Sequence, residues 1–212
     1  MKERTEPKFH RETPEARRDS LVEATLNCLK IFGHDGVSIR KISAEAGVSI
    51  GLINHHFPNK SGLIAEAYST LAHALQESLL AQARRPGATP RARLSGFFQA
   101  SFAPELIDPD LFNVWIVFWS MVRHSAAMRA VHDRTYDAYR NILEALLRDL
   151  ASSDGVPKFK LKQAAIGLSA LLDGLWVELS LSPRTVRPQD AIALCEDWVS
   201  ALCSGGFPRL SG

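Results

Sequence analysis

Residues Val37 to Phe57 read V-S-I-R-K-I-S-A-E-A-G-V-S-I-G-L-I-N-H-H-F, and this string restricts the fold more than any other part of the chain. It holds two apolar-periodic segments, each too short to persist as a helix alone in water, with Gly47 between them. A chain that meets a glycine between two such segments turns sharply and packs the second on the first, which is a helix-turn-helix corner. Ser38 and Ser49 stand where each segment needs a hydroxyl cap. Ile42, Ala46, Val48 and Ile53 fall on the inner faces, leaving Ser49, Ile50, Gly51, Asn54 and His55 pointing away from the contact.

The flanks agree with this reading. Thr13-Pro14-Glu15 is a helix start: a hydroxyl cap, a proline whose missing N–H costs nothing in the first turn, and an acid near the positive helix end. The helix it opens is expected to bury Leu21, Val22, Leu26, Leu29 and Phe32 and to stop at Gly33. From Ser61 the spacing Leu63, Ile64, Ala67, Tyr68, Leu71, Leu75, Leu79 predicts one long one-sided helix that ends before Arg84-Arg85-Pro86-Gly87. Further helices are predicted over 90–103, 110–124, 126–152, 160–181 and 188–203, with Asp108-Pro109 and Ser125 as start signals. No stretch alternates with period two long enough for a strand, so the fold is expected to be all-α. It divides into a polar arm over 1–12, a three-helix head over 13–60 and a larger helical domain over 61–205.

The outward face of the corner has the chemistry of a base reader. Ser49 can cap its helix and leave a backbone N–H for phosphate, Ile50 can meet a thymine methyl, and Asn54 has the paired donor and acceptor that suit adenine. The motif A-G-V-S-I-G-L-I-N-H-H-F followed by P-N-K-S-G-L resembles the DNA-binding signature of the TetR family of repressors, and the resemblance covers about Thr13 to Tyr68. It implies a head whose third helix enters the major groove, with Ser38 and Lys60 on phosphate, Arg40 on a base or phosphate, and His55 and His56 along the DNA backbone. Asn54 departs from the tyrosine many relatives carry there, so no base preference follows from them. Lys60 equally suits a solvated turn. Lys2, Arg4, Lys8 and Arg11 of the arm suit either a minor groove or a solvated tail.

In the C-terminal half, Leu111 to Trp119 is apolar all round and predicts a helix buried on several sides. W-I-V-F-W and, later, G-L-S-A-L-L-D-G-L-W-V-E-L-S-L-S resemble the regulatory domain of the choline-responsive, BetI-type branch of the same family. That resemblance implies induction by choline or a similar cation. Trp115, Phe118, Trp119 and Trp176 can supply aromatic faces for a quaternary ammonium, and Asp173 a countercharge. The same aromatics also suit a plain core, and Asp173 suits a local hydrogen bond or an ion pair with an arginine. Helices 160–181 and 188–203 carry more apolar surface than a thin domain covers, which predicts a two-fold homodimer seam suited to a palindromic operator.

Composition narrows the alternatives. A formal charge of +2, with ten Lys/Arg against eight Asp/Glu in the first sixty residues, is no broad polycation. Cys28, Cys195 and Cys203 are isolated and form no Cys-x-x-Cys pair, so neither disulfides nor zinc is expected. No phosphate loop, nucleophile elbow or metal-spaced cluster appears. The chain is therefore read as a cytoplasmic, non-enzymatic DNA-binding regulator without a cofactor, working on a double-stranded operator and a small-molecule effector. A dimeric helical protein-protein adaptor is the alternative.

Overall fold

The computed structural model describes residues 13–206 apart from 154, 155, 157 and 183, and these form nine α-helices with no strand. The basic arm, with Lys2, Arg4, Lys8 and Arg11, lies outside the described residues.

The start signals in the sequence become caps. Thr13 Oγ1 accepts from Ala16 N to open α1 (Pro14–Gly36), Ser38 Oγ from Lys41 N to open α2 (Ile39–Glu45), and Ser49 Oγ from Leu52 N to open α3 (Ile50–His56). Asn59 caps α4 (Lys60–Ala83) and Thr89 caps α5 (Pro90–Ser101). Asp108 caps α6 (Pro109–Val122) and Ser125 caps α7 (Ala126–Ala151). The chain closes with α8 (Leu161–Leu181) and α9 (Pro188–Cys203).

Two expectations change. Gly33 breaks the helical path of α1 at φ 62°, but a further turn runs on to Gly36. Phe32, expected inside, is 42% exposed, and the Lys41 ammonium lies 3.7 Å from its ring centroid. The turn after Gly33 brings Gly36 against Phe32 Cβ, and the cation-π contact covers one face of the ring.

Two cores result. The first joins the head to the body: Leu21, Leu29, Ile42, Ile53, Leu63, Ile64 and Tyr68 share one cluster with Val114, Trp115 and Phe118 of α6 and Met128 of α7. The second gathers the later part of α4 with α5, α7, α8 and α9 around Phe97, Phe98, Leu143, Leu147, Leu168 and Cys195. Leu75 packs against both. Close helix approach depends on missing side chains in two places. A Cβ at Gly96 of α5 would sit 2.9 Å from the Gln82 carbonyl of α4, and one at Gly167 would sit 3.2 Å from the Trp198 ring of α9.

By length and composition α8 could cross a membrane. Its Leu168, Leu172, Leu175 and Leu179 are buried in the second core. Ile166 (48%) and Leu181 (67%) stay exposed, as does Leu194 of α9 (49%).

Candidate DNA-reading face and effector cavity

Gly47 turns the corner between α2 and α3 with φ 65°, a region that penalises any side chain. Ser43 Oγ donates to the Val48 carbonyl and Val48 N to the Ser43 carbonyl at 3.0 Å, fixing the turn. Ile42 and Ile53 are fully buried between the helices, with Ala46 and Val48 packed at the edge. This packing turns one side of α3 to solvent: Ser49, Ile50, Gly51, Asn54 and His55 are all exposed, as is Arg40 on α2. Ser38 and Ser49 spend their hydroxyls as caps. A Cβ at Gly51 would meet only Ser49 Oγ, at 3.9 Å, so nothing inside the protein asks for glycine there.

The rim of the face is braced from below. Arg18 donates to the His56 carbonyl at 3.4 Å, lies 4.4 Å from the Phe57 ring centroid and pairs with Glu66 at 3.1 Å, binding α1, α3 and α4 together. His56 is half-buried, with its ring against that of His55 at 5.3 Å. Lys60 donates to the Val37 carbonyl at 3.1 Å, so its ammonium already ties α4 to the segment before α2. The sequence offered a phosphate contact or a solvated turn for Lys60 and gave no sign of this bond, which spans residues far apart in the chain.

A cavity of about 280 Å³ lies where α4, α6, α7 and α8 meet, close to the size of small-molecule sites. Trp115, Trp119 and Trp176 stand on its wall with ring centroids 6.4–6.5 Å apart. Tyr68 closes the group, edge-on to Trp115 at 5.6 Å. Trp176 Nε1 donates to the Leu106 carbonyl at 3.0 Å, which fixes that ring, whereas Trp119 Nε1 is buried near the Tyr68 phenol without a well-formed hydrogen bond among the described residues. Phe118, expected in the same set, is fully buried and is not on the wall. It stacks on the core side of Tyr68 at 4.7 Å, because its position on α6 faces α1 and α4.

Asp173 lies on the wall and accepts from the Tyr136 phenol at 3.3 Å. Burial lifts its pKa to about 6, with the Tyr136 hydrogen bond and the Arg140 charge pulling the other way. The Tyr68 phenol, hydrogen-bonded to His132 Nδ1 at 2.9 Å, is pushed up to about 12, chiefly by burial. Burial and the charge of Asp173 raise Tyr136 as well, so both phenols stay neutral donors. Among the described residues Asp173 is the only carboxylate on the wall, and no Lys, Arg or His side chain lines it. Sequence reading missed Tyr68, Tyr136 and Tyr139 as wall residues. Their signal was periodic: Tyr136 and Tyr139 continue the inward stripe of Met128, Val131 and Leu143 along α7.

Comparison with known proteins fits this geometry. Residues 21–67 match the model for bacterial regulatory proteins of the tetR family, and residues 90–204 match that for the C-terminal domain of BetI-type transcriptional repressors. The HTH-type transcriptional regulator BetI of Burkholderia thailandensis is 31% identical over 192 residues, covering 89% of this chain and 94% of its own. The solved structure of a transcriptional regulator from Pseudomonas aeruginosa PAO1 is 46% identical, with a TM-score of 0.86 over 96% of this chain and 98% of that one. A regulator from Saccharomonospora viridis solved in complex with choline has the same fold, with a TM-score of 0.76 at 23% identity over 89% of this chain and 97% of its own. With a helix-turn-helix head, a BetI-type C-terminal domain and a full-length relative above 30% identity, the chain belongs to the TetR family of DNA-binding transcriptional regulators.

Proposed function

We propose that this regulator is a homodimeric cytoplasmic repressor released from its operator by a small cation, choline or a relative of it, bound in the aromatic cavity. The observation that carries the reading is the composition of the wall: three tryptophans and three tyrosines, one carboxylate and no basic side chain. Aromatic faces attract a quaternary ammonium by about 0.5–2 kcal/mol each. Arg140 offsets part of the cost of the Asp173 charge but forms no ion pair with it, so a cation bound on the wall itself adds to that relief. The choline found in the Saccharomonospora viridis regulator agrees with this chemistry.

On DNA, Ile50, Gly51 and Asn54 read bases, while Arg40, Ser38, Ser49, His55, His56 and Lys60 position the head on the backbone. The exposed Ile166 and Leu194 lie on the α8–α9 seam through which two copies pair, so that two heads meet two half-sites. The effector works through α4, which carries cavity residues Tyr68 to Leu79 and is packed to the head at its N-terminal end. A tilt of α4 changes the spacing of the two α3 helices. A 100-fold preference of the ligand for the wrongly spaced state, about 2.7 kcal/mol, is enough to shift operator occupancy usefully.

The test is fluorescence anisotropy of the purified protein on duplex from upstream of its own gene, at low and high salt, with and without choline. Selective, salt-sensitive binding that choline weakens is the expected result. Selective binding indifferent to every small ammonium ion would overturn the effector. No selective binding to that or any other promoter fragment would overturn operator recognition.

A further inference from the structure

The cavity is too long for choline alone. On α4 its wall runs from Tyr68 to Leu79, twelve residues whose ends lie about 16 Å apart at 1.5 Å per residue. Choline measures about 5 Å from methyl to hydroxyl at ordinary single-bond lengths. The two ends also differ in chemistry. One end holds Tyr68, Trp115, Trp119, Trp176, Tyr136 and Asp173, where a cation is favoured. Toward the other the wall is Leu75, Ser78, Leu79, Ser101 and Phe102, with no charged side chain. The Ser101 hydroxyl there is committed to the Phe97 carbonyl at 2.8 Å.

Resting on the cation reading of the same cavity, we infer that the effector is an amphiphilic cation: a substituted ammonium with an apolar arm of several carbons. The head lies among the tryptophans beside Asp173, and the arm follows α4 to Leu79 and Phe102. The arm is also what couples the site to both cores. The ammonium end is built from Tyr68 and Trp115 of the first core, whereas Leu79 and Phe102 belong to the second. A ligand that spans the cavity grips both at once, and a ligand confined to the aromatic end grips chiefly the first.

The experiment is a titration of the full chain, followed by tryptophan fluorescence and calorimetry, with tetramethylammonium, choline, butyltrimethylammonium, hexyltrimethylammonium and hexanol. Affinity is expected to rise up to about fourfold for each methylene buried, so that hexyltrimethylammonium binds well over tenfold tighter than choline and releases DNA at lower concentration. Equal or weaker binding of the butyl and hexyl compounds than of choline would overturn the arm and leave the cation site standing. Hexanol binding as tightly as hexyltrimethylammonium would overturn the cation site and this inference with it.

Discussion

The Tyr136 phenol donates to Asp173 Oδ2 at 3.3 Å, so the carboxylate of α8 is held toward α7 by a neutral donor, and no described cation forms an ion pair with it. Burial has raised this acid to about 6, which means the folded protein disfavours its charge. Below about pH 4 the acid is protonated in both folded and unfolded chains and the cost is absent. It grows between about pH 4 and pH 6, where the unfolded chain has lost the proton that the folded one keeps, and is level above that.

A cationic effector reverses that cost, so its affinity should follow ionisation of Asp173, falling about tenfold between pH 7 and pH 5. Asp173→Asn should flatten this profile and weaken binding at pH 7, while the melting temperature of the ligand-free protein stays level or rises at that pH. Titrations and melts at both pH values check this. A steep profile surviving in Asp173→Asn would remove the carboxylate from the site.

Gly51 separates stability from DNA binding. Nothing lies within 3.9 Å of a Cβ placed there, and alanine is the better helix former by about 1 kcal/mol. Gly51→Ala should therefore keep or raise the melting temperature yet weaken operator affinity, because the new methyl sits on the face proposed to read DNA. Asn54→Ala and Arg40→Ala, both on exposed positions, should leave the melt unchanged and weaken the same complex. Anisotropy and thermal melts of the three variants decide it. Unchanged affinity in all three would move the DNA contact off α3.

Lys60 should behave as a structural residue whatever it does on DNA. Lys60→Met removes the donor to the Val37 carbonyl, and a lost hydrogen bond of this kind costs about 1 kcal/mol or somewhat more. Urea unfolding without DNA reads this directly. A midpoint equal to that of the parent would assign the lysine to phosphate alone.

Dimerisation is predicted to depend on the apolar residues left bare on α8 and α9. Ile166→Glu combined with Leu194→Glu puts like charges on the self-complementary seam. Light scattering should then report a monomer that retains the helical content of the parent. A variant that remains a dimer would place the seam elsewhere.

Much of this architecture was legible because its punctuation is local. Thr13, Ser38, Ser49, Asp108 and Ser125 cap the helices they announce, and Gly47 turns the corner it announces. What stayed hidden depends on contacts between distant residues. Phe32 fits the apolar period of α1, but it is left part-exposed with Lys41 over its ring, a contact no local spacing announces. Phe118 looks like the other aromatics of α6, yet its direction around the helix stacks it on Tyr68 and leaves it off the wall. Tyr136 follows the polar stretch His132-Asp133-Arg134-Thr135, so its place on the inward stripe of α7 is easily passed over until its approach to Asp173 is seen.

Because Val114, Trp115 and Phe118 of α6 share a core with Leu21, Val22 and Leu29 of α1, the helix-turn-helix head is not a cartridge that unplugs at residue 60. A chimera that grafts residues 13–60 onto another regulator would leave that set of aromatic and aliphatic contacts to a foreign helix. Exchange of operator specificity between relatives is therefore better made by rewriting the exposed side of α3 than by swapping whole heads.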